Sequence, residues 1–172
     1  AEEFCRDKDA VSAISLMAEA LAWAKTKNMN FLQMLQDIYI KYGYSHEAGV
    51  SLVRKGKSGA EEIIAIMKEF RANPPKQLGG SDVVLVKDYI DLNCKNLKTG
   101  EVTKMDFPTT SNVLQYFTED GTKVSVRPSG TEPKIKFYIE VKGVMKTNAD
   151  YQKANDEANA KIEAIKKDLG ID

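Results

Sequence analysis

An alternation of apolar and polar residues over 134–141 restricts the fold of this chain more than any other feature. The sequence there reads KIKFYIEV. Successive side chains of a strand point to opposite faces, so this strand has one apolar face and one polar face. Such strands are typical of antiparallel sheets with one face in a core and the other toward solvent. The sequence therefore predicts a sheet that is covered by other elements on one side.

The spacing of apolar residues and the sequence signals for helix ends predict the positions of the remaining helices and strands. Helical spacing of apolar residues predicts a helix over 9–27 and a second one that Gly43 ends. Three capping-box patterns precede further helical stretches, at Asn30/Gln33, Ser58/Glu61 and Thr147/Asp150. Alternation predicts additional strands at 47–54, 84–90, 113–117 and 123–127. The polar stretch 93–111 is interpreted as a loop or a small excursion.

This order of elements defines an α+β fold. Two helices come first, and the pattern β-α-β-β-β-β-α follows. We place a domain boundary near residue 43, with a helical piece in 1–43 and an antiparallel sheet packed against helices in 44–172. Trp23, Phe31 and Tyr39 lie at helical spacing and are expected in the core.

Composition narrows the function classes. The 172 residues carry 25 Lys and Arg against 25 Asp and Glu, which argues against a general nucleic-acid or membrane-surface binder. No apolar run approaches the roughly 20 residues of a membrane helix. Cys5 and Cys94 show no metal-site spacing, and a reducing compartment is expected. The charged opening of the chain suggests a piece of a larger protein.

The segment Arg127 to Pro133, RPSGTEP, is more elaborate than a hairpin turn requires. The arginine fork matches phosphate or carboxylate oxygens, and Ser129 and Thr131 offer hydroxyl donors. Gly130 allows backbone N–H groups to approach an anion. Ordinary turn chemistry beside an arginine explains the same residues, and spacing alone does not decide between the two interpretations.

RPSGTEP running into Lys134-Ile135-Lys136 closely resembles the C-terminal phosphate-binding loop of the α-D-phosphohexomutases, the phosphoglucomutase/phosphomannomutase family. The early segment RDKDAV, residues 6–11, is similar to the part of the family's third domain that follows the sugar-recognition loop. The resemblance implies the end of the third domain in 1–43 and the fourth, phosphate-binding domain in 44–172. The phosphoserine loop and the acidic metal loop of the family have no counterpart in this sequence.

The resemblance also implies the site. Arg127, Ser129, Gly130 and Thr131 would bind the phosphate that is not being transferred, and Lys136 matches a position where relatives often carry arginine. Lys134 shares the face of Lys136 and is a weaker candidate. Lys8 would lie near the reacting phosphate as an electrostatic stabiliser or proton-transfer partner, and the alternative is a solvated charge cluster.

The implied parent enzyme is a cytoplasmic, Mg²⁺-dependent intramolecular phosphotransferase whose metal ligands are not in this chain. Glucose or mannose 1- and 6-phosphates and the remaining domains of the parent enzyme are the expected partners, with no nucleic acid and no membrane. The chain alone is expected to be inactive. Phosphopentomutase, phosphoglucosamine mutase and a non-catalytic anion-binding or interaction domain remain alternatives.

Glu132 and His46 are two further candidates for a functional role. Glu132 could orient the loop through a backbone N–H or help to fix a cation. His46 is the only histidine, so no catalytic pair can form around a second one. We expect His46 to lie in a loop or at the start of a strand and not to act as a ligand.

Overall fold

The computed structural model describes residues 8–54 and 56–171. The chain divides into two compact units, one formed by 1–43 and 145–151 and the other by 44–144 and 152–172. The first unit holds two helices and a short 3₁₀ turn, and the second holds the sheet.

The first unit contains α1 (Ala10–Thr26) and α2 (Phe31–Tyr42). Asp9 caps α1, because its Oδ1 accepts a hydrogen bond of 2.9 Å from the Ser12 N–H. The capping box predicted at Asn30 is confirmed: Asn30 and Gln33 exchange two side-chain to backbone hydrogen bonds of 2.8 Å. Gly43 ends α2 with a φ of 101°.

These two helices leave much apolar surface uncovered. Val11 is 77% exposed, Trp23 51% and Phe31 39%. The expectation that Trp23 and Phe31 lie in the core is wrong, because each helix can cover only one face of the other. The capping box predicted at Thr147 is present, and it opens the 3₁₀ turn Asn148–Asp150 that leads into the last helix.

The second unit contains one antiparallel sheet. Its strands follow the spatial order β1, β8, β7, β6, β3, β4, β5, with β2 paired to β3. Their bounds are β1 (Tyr44–Val53), β2 (Gln77–Leu78), β3 (Ser81–Asp88), β4 (Asn93–Asn96), β5 (Val102–Lys104), β6 (Leu114–Thr118), β7 (Lys123–Pro128) and β8 (Lys134–Gly143). Gly79 and Gly80 join β2 to β3 with positive φ at both positions, as the tight type I′ hairpin requires.

Helices α3 (Gly56–Ala72) and α4 (Tyr151–Leu169) cover one face of this sheet. Phe70 of α3 meets Phe137 of β8 edge to face at 5.9 Å and receives a hydrogen bond of 2.9 Å on its carbonyl from the Tyr116 hydroxyl. The apolar residues of β8 are buried, whereas Lys136 and Tyr138 of the same strand remain accessible on the other face, called the open face below. The α+β class with one covered face, predicted from the alternation, is confirmed.

Three details differ from the sequence predictions. Strand β1 starts at Tyr44 instead of residue 47, because its first residues pair with the end of β8. Helix α3 starts at Gly56, so Ser58 lies inside its first turn and not at the cap. The polar stretch 93–111 forms the small excursion that was one of its two interpretations, since β4 and β5 pair there at the edge of the sheet.

Candidate functional site

The loop singled out in the sequence joins β7 to β8 at one end of the sheet. In the register of these strands Arg127 pairs with Lys136, and Pro128 pairs with Ile135. Val126 and Ile135 are buried under the helices, so alternation puts Arg127 and Lys136 on the open face. Among the residues that the structure describes, neither of these two cations makes a hydrogen bond or an ion pair. Two adjacent, available cations are therefore presented beside the loop.

Backbone hydrogen bonds fix the loop itself. The Ser129 N–H donates to the Lys134 carbonyl at 2.8 Å, and the Lys134 N–H donates to the Glu132 carbonyl at 2.7 Å. The Thr131 N–H lies 3.5 Å from the Ser129 hydroxyl oxygen, which is the outer limit of a hydrogen bond. The Ser129 amide is thus committed within the loop, and the Thr131 amide is only weakly engaged.

Gly130 is required neither by backbone conformation nor by packing within the chain. Its φ lies outside the positive range, and a Cβ placed there would meet nothing within 4 Å. A side chain at this position would extend into open space. A glycine here keeps the backbone accessible to a molecule from outside the chain.

Glu132 is the one acidic residue of the loop, and its carboxylate forms an ion pair with the Lys134 ammonium. This hydrogen bond and the charge of Lys134, with a smaller contribution from Lys136, lower the pKa of the Glu132 carboxyl below its ordinary value. Of the two roles considered for Glu132, the side chain fixes a cation, namely Lys134. The backbone contact to Lys134 comes from the Glu132 carbonyl and not from the carboxylate.

The junction between β1 and α3 supports the loop from the side. The Arg54 N–H donates to the Pro133 carbonyl at 2.9 Å, and the Arg54 side chain pairs with Glu62 of α3 at 3.1 Å. Helix α3 passes so close that a Cβ on Gly59 would lie 2.4 Å from the Arg54 carbonyl oxygen. Only glycine fits at position 59 with this backbone, directly beside the residue that is hydrogen-bonded to Pro133.

A side-chain network at the same end of the sheet as the loop was not predicted from the sequence. Arg71 of α3 donates through Nε to Asp88 at 2.7 Å and through Nη2 to Asn112 at 2.8 Å. Asn112 lines a groove of about 240 Å³ together with Ser129 and Glu132. These partners lie 17 and 41 positions from Arg71, so no local spacing could reveal them. The network joins α3, β3 and the segment before β6 behind the loop.

The structure also shows the positions of the other candidates from the sequence, Lys8, His46 and Cys94. Lys8 is exposed and lies in the first unit, just before the cap of α1. His46 lies inside β1, with its Nδ1 3.3 Å from the Tyr44 hydroxyl. Cys94 is a free, half-buried thiol in β4, and Cys5 falls outside the described residues.

The described part of the chain contains neither a cluster of metal-binding side chains nor a helix suited to cross a membrane. Among residues 8–54 and 56–171, no three His, Cys, Asp or Glu side chains are grouped so that they could hold a metal ion. The described residues therefore do not fit a metal site of their own. Within the same residues, none of the helices combines the length and the apolar character that a membrane crossing needs.

The geometry defines a class of protein domain: an α+β domain with helices on one face of an antiparallel sheet and a cationic loop between two strands at the end of that sheet. Residues 82–158 match the phosphoglucomutase/phosphomannomutase C-terminal domain. The chain is 35% identical over 141 residues to a phosphoglucomutase of Staphylococcus aureus (strain bovine RF122 / ET3-1), and 32% identical over 141 residues to one of Staphylococcus saprophyticus. Each alignment covers 82% of this chain and 25% of the relative.

A solved structure shows the same fold. The open-form crystal structure of parafusin, a phosphoglucomutase from Paramecium, aligns with a TM-score of 0.50 and 18% identity, over 98% of this chain and 28% of that one. Residues 82–158 thus match the C-terminal domain of the phosphoglucomutase/phosphomannomutase family, and the chain is similar to phosphoglucomutases over 82% of its length. The resemblance stated from the sequence is confirmed, and the chain spans 25% of the length of the curated relatives it matches.

Proposed function

We propose that this chain is the phosphate-holding end of a phosphohexomutase, an intramolecular phosphotransferase acting on glucose or mannose phosphates. In this proposal the loop from Arg127 to Thr131 binds the phosphate that the sugar already carries and that is not being transferred. A phosphoserine elsewhere in the parent enzyme gives its phosphate to the free hydroxyl at the other end of the sugar, position 1 or 6, and so forms a 1,6-bisphosphate. The bisphosphate then turns around and returns its other phosphate to the serine, so each end of the sugar occupies the loop once in a complete cycle.

The pairing of Arg127 with Lys136 carries this proposal. Both side chains lie on the open face beside the loop, and among the described residues neither has a hydrogen-bond or ion-pair partner. Two neighbouring positive charges repel each other, and Glu132 is the one carboxylate of the loop against three cations, so this excess of positive charge favours an external anion. The arginine fork can donate two parallel hydrogen bonds to phosphate oxygens, whereas the lysine adds a compact charge.

Ser129, Gly130 and Thr131 complete the proposed site. The two hydroxyls can donate to phosphate oxygens, and the Gly130 position leaves room for close backbone approach. Binding a phosphate remote from the reacting bond orients the sugar and favours closure of the cleft around it. The loop therefore contributes to catalysis by positioning and not by chemistry.

The remaining parts of the machinery belong, in this proposal, to other regions of a cytoplasmic parent enzyme. They are the phosphoserine and the ligands of a Mg²⁺ ion, which would supply charge stabilisation at the transferred phosphate. Residues 1–43 would be the last helices of the preceding domain, and Lys8 would approach the reacting phosphate from there. The exposed apolar surface of α1 and α2 supports an additional packing partner for these helices.

Titration with inorganic phosphate tests the proposal on this chain. At constant ionic strength, the amide signals of 129–131 should shift with phosphate, with a Kd on the order of tens of millimolar for a single weak site. Arg127→Ala should abolish most of the shift, whereas Lys153→Ala on the exposed face of α4 should leave it unchanged. Amides that do not respond to phosphate in the wild-type chain would refute the assignment of the loop.

The sequence of the complete gene separates the enzyme from the alternatives. A serine-containing loop and an acidic metal loop ahead of this segment are expected for a mutase. Their absence there would favour a non-catalytic anion-binding domain. Activity assays of the intact protein with glucose, mannose, glucosamine and pentose phosphates would then identify the substrate.

A further inference from the structure

Three cations and one carboxylate form the charged cluster at the loop. Lys134 and Lys136 are two residues apart on β8 and therefore share the open face with Arg127. Glu132 belongs to the loop, one residue before Pro133. With one negative charge against three positive ones, the cluster keeps an excess of positive charge even before a ligand arrives.

The three cations of this cluster differ in whether they have an ion-pair partner. Arg127 and Lys136 have no ion-pair partner among the described residues, whereas Lys134 is held by Glu132. The Lys134 side chain is 24% exposed and that of Glu132 is 58% exposed. The carboxylate thus lies on the solvent side of this pair, where an incoming anion would meet it.

The backbone keeps Glu132 and Lys134 together. Their main chains are joined by a hydrogen bond of 2.7 Å, and the carbonyl of the intervening Pro133 is held by the Arg54 N–H at 2.9 Å. The side-chain pair therefore closes a turn that is already fixed at two points. Because the backbone is already fixed, only side-chain entropy is lost when the ion pair forms.

We propose that Glu132 is a built-in competitor for phosphate and limits the affinity of the loop through Lys134. The inference deepens the proposed function and rests on it. A phosphate bound to Arg127 and Lys136 repels the nearby carboxylate, and the Lys134 ammonium exchanges Glu132 for a phosphate oxygen. When the phosphate leaves, Glu132 takes Lys134 back, so this cation always has a counter-ion.

Such a competitor suits a reaction in which the ligand must leave the loop and return reversed. A loop that held the phosphate with three free cations would bind more tightly and release more slowly. Glu132 lowers the affinity without removing any of the groups that recognise the phosphate. It is an affinity-setting residue, and it performs no chemistry.

Replacing the carboxylate with its neutral isostere tests the proposal. In titrations of the full chain with inorganic phosphate, Glu132→Gln should lower the Kd about two- to fivefold, the range of an exposed ion pair. Glu119→Gln is the matched control: Glu119 pairs with Lys98 at the opposite end of the sheet, and its substitution should leave the Kd unchanged.

A second background shows whether the effect acts through Lys134. In a Lys134→Met chain, Glu132→Gln should change the Kd by much less than in the wild type, because the competed cation is gone. Equal effects in both backgrounds, or an unchanged or higher Kd for Glu132→Gln, would overturn the proposal. Loss of phosphate binding in Arg127→Ala alongside an unchanged Kd for Glu132→Gln would reject this inference while leaving the proposed function intact.

Discussion

Glu140 on the open face should make the stability of the sheet unit depend on pH. Its carboxylate forms ion pairs with Lys123 of the neighbouring strand and with Lys142, and it accepts a hydrogen bond of 3.2 Å from the Ser45 hydroxyl. The bond to Lys123, followed by the bond to Lys142, lowers the pKa of Glu140 to about 2 from an ordinary value of 4.5. The Glu140 side chain is 15% exposed, so part of this effect survives screening by water.

The direction of the pH effect follows from the lowered pKa. The charged carboxylate stabilises the folded state above the unfolded pKa near 4.5, and the contribution is lost as the pH falls toward 2. The full shift corresponds to about 3 kcal/mol. Because both lysines are considerably more exposed, at 36% and 49%, we expect ~1 to 1.5 kcal/mol at neutral pH.

Urea denaturation of the wild type and of Glu140→Gln at pH 7, 5 and 3.5 checks this expectation. The gap in unfolding free energy should be constant above pH 5 and narrower at pH 3.5. Glu163→Gln, which removes an exposed pair with Lys166 on α4, should cost less than about 0.5 kcal/mol. A gap for Glu140→Gln that is the same at all three pH values would show that packing, and not charge, is responsible.

Three further outcomes are expected. In steady-state kinetics of the intact parent enzyme, Arg127→Ala should lower kcat/KM roughly 10- to 1000-fold in both directions. Lys136→Ala should lower kcat/KM less, and Asp120→Ala should hardly change it. Unchanged kinetics for Arg127→Ala would contradict the role of the loop. Gly59→Ala should destabilise the chain by ~1 to 3 kcal/mol in urea denaturation, because the new methyl group would overlap the Arg54 carbonyl; a neutral effect would mean that α3 can shift away. The apolar surface of α1 and α2 should drive concentration-dependent self-association or leave their amides weakly protected from hydrogen exchange, and a monomer with both helices fully protected would argue against this.

The elements with a strong periodic pattern could be predicted from the sequence, and the reasons are physical. Strand β8 alternates without interruption because one of its faces is covered by α3 and α4. The capping box at Asn30 is local chemistry and needs no tertiary information. Strands β4 and β5 could not be predicted individually within 93–111. They lie at the sheet edge, where neither face is firmly buried, so the alternation of apolar and polar residues is weak.

The candidate site was predictable only in part. The motif around Arg127 marked the loop, since its residues are consecutive in the chain. The anchor Arg54 and the groove residue Asn112 could not be found in this way, because the register of the sheet and α3 bring them to the loop. The assignment of Trp23 to the core was wrong because helical spacing shows which face is apolar and does not show what covers it.

The position of β1 has a consequence for how the chain is made. This strand is the first of the sheet along the chain, yet it lies at the edge beside β8, and the contact between Ser45 and Glu140 spans 95 positions. During synthesis β1 has no strand to pair with until β8 has left the ribosome. The sheet unit must therefore finish folding late, and its long-range pairing is expected to make that final step slow. In the interval the exposed edge of β1 is open to pairing with other chains, so chaperone binding to nascent chains should be strongest before residue 143 emerges.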